Sequence, residues 1–256
     1  MSVWARLGSF LLVLLGTFGT AYAVGEKLPG HTHIHGPARL ALASPTDGAY
    51  RLVVDDLAGA DSGPGTSTFH LEHHGMPVTS FALVHAALLH VVIVRPDLTG
   101  FQHVHPDIAA NGRFNVVFDQ PGPWHVVFES TPKGASAAVI VATDIPGSAA
   151  ASSALPQALD DVSTHGLRIV RSGLTFSVST AGGQPVEGLE PYLGQAAHLV
   201  AIRTGDLAYV HLHPTMNMVS AFMFANSLPK PGVYRVFLQF GYQGEVLTVP
   251  FTVVQP

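Results

Sequence analysis

Histidine is where this chain concentrates its chemistry. Fifteen His outnumber the 12 Lys and Arg combined, and there is no Cys. Disulfides, thiolate metal sites, iron–sulfur clusters and cysteine nucleophiles are thereby excluded, and any metal must be held by imidazole, Met or carboxylate. Six of the histidines repeat one spacing, H-x12-H-x-H-P, as His90, His103, His105 and again as His198, His211, His213. Between the first two histidines of copy one lie an apolar run, a turn around Pro96-Asp97-Leu98-Thr99, and a second run from Phe101; copy two has its turn at Thr204-Gly205-Asp206-Leu207. A hairpin with residues 97 and 98 at its tip sets His90 opposite His105 and Val92 opposite His103, and the same arithmetic with 205 and 206 sets His198 opposite His213 and beside His211. Opposed Cβ atoms are about 4.5–5.5 Å apart and residues i and i+2 share a face, so three rings come within reach of one ion about 2.0–2.1 Å from each nitrogen. The Pro after each H-x-H ends ladder pairing, which puts the cluster at a strand terminus, where an ion can enter. A one-residue change of register would send the rings to opposite faces. Without metal, the same six are polar residues on an exposed sheet face, or core histidines satisfied by backbone carbonyls. Their recurrence in two otherwise divergent halves favours metal, although inherited duplication alone also accounts for the match.

Other candidates carry less. His85 precedes His90 by five residues and is matched by Leu193 in copy two, so it can serve as an accessory metal ligand only in copy one. His31-Thr32-His33-Ile34-His35 would serve as a tail that captures Cu(II), Ni(II) or Zn(II), or simply as a solvated segment. His70-Leu71-Glu72-His73-His74 fits no zinc-protease spacing and reads as a strand end and turn. Met216 and Met218 would offer thioethers to Cu(I), but Met is more often core filling. Trp124 and Tyr234 read as core aromatics. The run His103-Val104-His105-Pro106-Asp107 resembles the opening of metallo-β-lactamase-type hydrolases, but Ile108 stands where a further His is needed and Thr215 replaces the Asp in copy two. A two-His-one-carboxylate iron site using Asp107 fails the same comparison. No nucleophile elbow, phosphate loop or dinucleotide fingerprint is present, so the expectation is a protein that is not an enzyme.

The elements that must position these residues come from an internal repeat. Shifted by 108, His90-Val91-Val92-Ile93-Val94-Arg95 falls on His198-Leu199-Val200-Ala201-Ile202-Arg203, and His103-Val104-His105-Pro106 falls on His211-Leu212-His213-Pro214. At a shift of 110, Pro121-Gly122-Pro123-Trp124-His125-Val126-Val127-Phe128 falls on Pro231-Gly232-Val233-Tyr234-Arg235-Val236-Phe237-Leu238. Short β-branched and aromatic runs between Gly, Pro, Asp and Asn predict about seven strands in each half, with no helical period beyond the leader. The fold expected is all-β: two tandem immunoglobulin/cupredoxin-like β-sandwich modules from an internal duplication, preceded by an N-terminal hydrophobic helix. The boundaries read as a signal peptide or membrane anchor over 1–24, a His-rich tail over 25–37, module 1 over 38–146, a linker over 147–160 and module 2 over 161–256. The leader holds an apolar run ending in Ala21-Tyr22-Ala23, a small-x-small cleavage pattern, so the bulk of the protein is expected outside the cytoplasm, secreted or anchored to the outer face of the cytoplasmic membrane. A net charge of −5, with no Lys/Arg cluster, leaves nucleic acid out as a partner.

The segments 89–106 and 191–214 resemble a family of exported two-module bacterial β-sandwich proteins carrying the repeated H-x12-H-x-H-P motif, mostly described only as secreted or membrane-anchored. More distantly the chain is similar to extracytoplasmic β-sandwiches that handle copper, the CopC-type carriers and FixH/YtkA-like domains. The resemblance implies an exported pair of sandwiches with a metal role. Where members of the family often carry charge between the positions of His85 and His90, this chain has Ala86, Ala87, Leu88 and Leu89. Together these readings point to an extracytoplasmic carrier or buffer of copper, with zinc as the alternative metal. The competing expectations are a structural or partner-binding envelope protein without metal, whose histidines tune its pH response, and a metal-dependent enzyme.

Overall fold

The computed structural model describes residues 49–57, 64–84, 86–147, 153–224 and 228–256. The leader, the histidines at 31, 33 and 35, and His85 lie outside them. Among the described residues every regular element is a strand. The first repeat holds β1 (Tyr50–Leu57), β2 (Gly65–His73), β3 (Met76–Pro77), β4 (Phe81–Ala82), β5 (Leu89–Val94), β6 (Gln102–Val104), β7 (Arg113–Phe118), β8 (Trp124–Pro132) and β9 (Val139–Ile145). The second holds β10 (Asp161–Thr164), β11 (Leu167–Ser172), β12 (Thr175–Thr180), β13 (Leu189–Glu190), β14 (His198–Arg203), β15 (Tyr209–Leu212), β16 (Met216–Met218), β17 (Ala221–Met223), β18 (Gly232–Tyr242) and β19 (Glu245–Gln255). The excess over seven per half comes from two- and three-residue strands that periodicity alone does not register.

Each half is a two-sheet sandwich. In the first, β1, β2, β3 and β7 face a sheet ordered β4-β8-β5-β6 with β9 on β8; in the second, β10-β11-β12-β17-β16 faces β13-β18-β14-β15 with β19 on β18. The two cores are separate. Phe69, Phe118, Trp124 and Phe128 anchor one, and Phe176, Tyr234, Phe240 and Phe251 the other. Trp124 and Tyr234 take the core places expected of them, each 1% exposed.

A third apolar cluster joins the halves. Val92, Val94, Leu98 and Val127 of the first repeat pack with Val200, Ile202 and Phe237 of the second, and Phe101 stacks on Phe237 with ring centroids 3.9 Å apart. The β5-bearing and β14-bearing sheets therefore cover each other with the faces turned away from their own cores. This explains why Leu89–Val94 and His198–Ile202 are almost wholly apolar rather than alternating: Val91 and Ile93 fill their own sandwich while Val92 and Val94 fill the joint. The described part of the segment read as a linker is docked as well, since Leu155 packs on this cluster, the Ser153 amide donates to Asp97 and Thr252 donates to the Pro156 carbonyl.

The hairpin registers are those the spacing predicts. Val92 pairs with His103, and Val200 with His211. In the first hairpin Leu98 and Gly100 both adopt positive φ, and a Cβ on Gly100 would lie 2.9 Å from the Trp124 ring, so this turn requires glycine there.

Candidate metal centre

Parity along the strands places the histidines. His90 shares the face of Val92 and Val94, His103 and His105 that of Phe101, His198 that of Val200 and Ile202, and His211 and His213 that of Tyr209, all of which look into the joint between the halves. Each strand pair ends at its His-x-His-Pro, so both triads arrive at the same end of the joint and meet. The sequence left open whether they form one centre or two; the rings form one continuous cluster. Within copy one, His90 Nδ1 is 3.3 Å from His103 Nε2 and 3.1 Å from His105 Nε2. Within copy two, His198 Nδ1 is 3.0 Å from His211 Nε2, and the His213 ring lies 4.7 Å from that of His198. Across the copies, ring centroids of His90 and His211 are 5.3 Å apart, and those of His103 and His211 5.4 Å. Ligand nitrogens of His90, His103 and His211 lie within 4.8 Å of one another, as do those of His198, His211 and His213.

What aims these nitrogens is a set of acceptors behind the rings. His90 Nε2 faces the Val84 carbonyl at 3.4 Å, and His198 Nε2 faces the Tyr192 carbonyl at 2.9 Å. Val84 exchanges two backbone hydrogen bonds with Ala87, and Tyr192 does the same with Gln195 across a turn formed by Leu193 and Gly194 at φ 48° and 74°. His103 Nδ1 donates to Gln239 Oε1 at 2.7 Å, and His211 Nδ1 donates to Glu129 Oε2 at 3.0 Å. Gln239 in turn donates to Thr248, and Tyr209 donates to Glu129 at 2.8 Å. Carbonyl, amide and carboxylate oxygens accept only, so the outward nitrogen of each of these four rings carries the proton and the inward one a lone pair. The carbonyl-satisfied core histidine is thus half of the answer: it describes the outer nitrogens of His90 and His198, while their inner nitrogens face other rings.

With all four rings neutral, lone pairs oppose each other at 3.0 to 3.3 Å in both copies. Only a cation between them, proton or metal, converts that repulsion into attraction. Protons are disfavoured. Burial, reinforced by neighbouring rings, holds His103 well below the ordinary imidazole range, and pushes His105 down to about 4 and His198 to about 3. Burial alone would raise Glu129, but hydrogen bonds from His211 and Tyr209 and the nearby imidazoles outweigh it and keep the carboxylate ionised. The donor set, imidazoles with oriented backing and no thiolate, fits a copper or zinc ion. A cavity of about 140 Å³ lined by Val84, Leu88, His90, Glu129, Thr131 and His211 adjoins the cluster and offers an approach for an ion.

Other candidates fall elsewhere. Met216 and Met218 are 55% and 44% exposed on the edge strand β16, so the core-filling expectation is corrected: an edge strand gives these side chains no opposing layer. His70 lies within β2 as a buried link between Asp55 and Glu72, at 2.7 and 3.3 Å, braced by Arg113 and Arg51, and His73 and His74 form the strand end and turn. Glu129 and Gln239 were not singled out from sequence, although the 110-residue shift that aligns Phe128 with Leu238 also aligns this pair. The acid behind the centre comes from β8, not from the 86–89 segment where family members carry charge.

No curated protein matches the chain. Residues 46–146 and 166–255 match the family described as Domain of unknown function (DUF8832), a match that takes in both repeats. With both triads, Glu129 and Gln239 inside the matched regions, and most of its length covered, the chain belongs to that family.

Proposed function

We propose that this protein binds copper outside the cytoplasm as a carrier or buffer, through the six-histidine centre at the joint of its two sandwiches. The observation that carries the reading is the set of four acceptors, Val84 O, Tyr192 O, Glu129 and Gln239, that fix the outward N–H groups and leave the inward lone pairs facing each other. Such backing is what metal-ligating histidines need, because it sets the tautomer and raises ligand basicity. Copper is preferred over zinc on the distant resemblance to CopC-type and FixH/YtkA-like domains; imidazole accepts both. The apolar leader ending in Ala-Tyr-Ala supports an extracytoplasmic location, secreted or anchored to the outer face of the membrane. Absence of a nucleophile or phosphate-binding motif supports a binding role over catalysis.

Equilibrium dialysis against Cu(II) and Zn(II) tests the reading. The wild type is expected to retain metal, and His103→Ala with His105→Ala to lose at least half of it. Equal retention by the double variant would remove copy one from the site, and no retention by the wild type would leave a partner-binding envelope sandwich as the better account.

A further inference from the structure

The centre has an approximate two-fold arrangement in which each half backs a histidine of the other. Glu129 lies beside His90 in its own sheet, yet its carboxylate backs His211 of the other half; Gln239 lies beside His198, yet its amide backs His103. The two residues correspond under the repeat, as do Val84 and Tyr192. The arrangement is broken at this pair, carboxylate on one side and amide on the other.

The rings fall into two triads, and His211 belongs to both close groupings, with His90 and His103 and with His198 and His213. One imidazole nitrogen serves one ion at a time. If His211 completes the triad with His198 and His213, then His90 and His103 are completed by His105, whose Nε2 is 3.1 Å from His90 Nδ1. Because a ring nitrogen of His211 lies within 4.8 Å of the His90 and His103 nitrogens, ions about 2 Å from their ligands in the two triads would be separated by no more than roughly 11 Å.

We propose that the centre takes two ions, one in His90/His103/His105 and one in His198/His211/His213, and that Glu129 makes the second the tighter site for a divalent ion. The proposal rests on the metal-binding reading above. Glu129 supplies a negative charge one hydrogen bond from the ligand, which raises the donor strength of His211 and offsets part of the ion's charge; the Gln239 amide orients His103 equally well and supplies no charge. Glu129 is thus a positioning residue that also sets preference. The same asymmetry gives a monovalent ion less reason to prefer the second triad, since the gain from a nearby carboxylate scales with ionic charge.

Native mass spectrometry and calorimetric titration of the full exported chain with Zn(II), and with Ag(I) as a redox-silent monovalent probe, test this. The wild type is expected to take two zinc ions in two resolved steps. Glu129→Gln should weaken the tight zinc step by about 10–100-fold and silver binding by only about the square root of that factor, roughly 3–10-fold, and Gln239→Glu should strengthen the weak step. A merely structural role for Glu129 would move zinc and silver alike, and that result overturns the assignment of preference. One ion per chain, or two equal steps unaffected by Glu129→Gln, overturns the paired, unequal centre while leaving metal binding intact. No zinc or silver bound overturns both readings.

Discussion

His211 and Glu129 lie 82 positions apart, in different sandwiches, and are joined by a 3.0 Å hydrogen bond from the ring Nδ1 to the carboxylate. Through this contact the joint between the halves, rather than either half, determines the orientation of the His211 ring. The counterpart, His103 to Gln239 at 2.7 Å, does the same in reverse. The apolar joint and the histidine cluster are therefore one structural unit, and changes in either should be felt in the other.

Tyr209 donates its hydroxyl to the same Glu129 oxygen that His211 uses. Tyr209→Phe removes one of the two donors that hold the carboxylate in place without touching a ligand. The expected cost is about 1.5–3 kcal/mol of stability, because the lost bond was to a charged acceptor. Zinc affinity should fall by less than for Glu129→Gln. Chemical denaturation and calorimetric titration of the same preparation check both parts.

Phe237 fills the joint at 4% exposure and stacks on Phe101. Phe237→Ala should destabilise the protein by about 3–5 kcal/mol, as for a buried Phe that leaves a cavity. Since β14 and β5 lose their packing partner, the two triads should also lose their mutual alignment, and zinc affinity should drop even though no ligand has changed. A destabilised variant with wild-type affinity would separate the joint from the centre.

Acid should destabilise the metal-free protein in a defined window. His105 and His198 protonate in the folded chain only near about 4 and about 3, and His103 is also held low, whereas unfolded histidines protonate near about 6.5. Between those values the unfolded state binds more protons, so stability rises with pH there and falls as pH drops below about 6.5. Thermal unfolding from pH 8 to pH 4.5 should show little change above neutrality and a steady fall below about 6.5. Metal binding should be lost in the same direction, because protons and ions compete for the same lone pairs.

The hairpin geometry was legible because turn position and a period of two fix which residues oppose one another, and Val92 against His103 and Val200 against His211 follow from that alone. The aromatic anchors Trp124 and Tyr234 were legible from their matched places after the Pro-Gly turns. The merging of two triads into one cluster was not, since it depends on how two sheets meet. The trace it leaves is the lack of alternation in Leu89–Val94 and His198–Ile202, which signals strands covered on both faces. Glu129 and Gln239 escaped because a single polar residue inside a strand reads as a solvent-facing position until its partner from the other half is in view. Met216 and Met218 were misplaced because thioethers carry no signal that separates a core position from an exposed edge.

The most direct test of the central claim is metal content and copper-edge X-ray absorption on three forms of the protein loaded with copper. These are the wild type, a variant with His31, His33 and His35 each changed to Ala, and a variant with His90, His103, His198 and His211 each changed to Ala. The account predicts that the first two bind equal amounts of copper in a nitrogen shell at about 2.0 Å with imidazole scattering, and that the third retains little. Undiminished copper in the third form, lost instead when the tail histidines are removed, would contradict it.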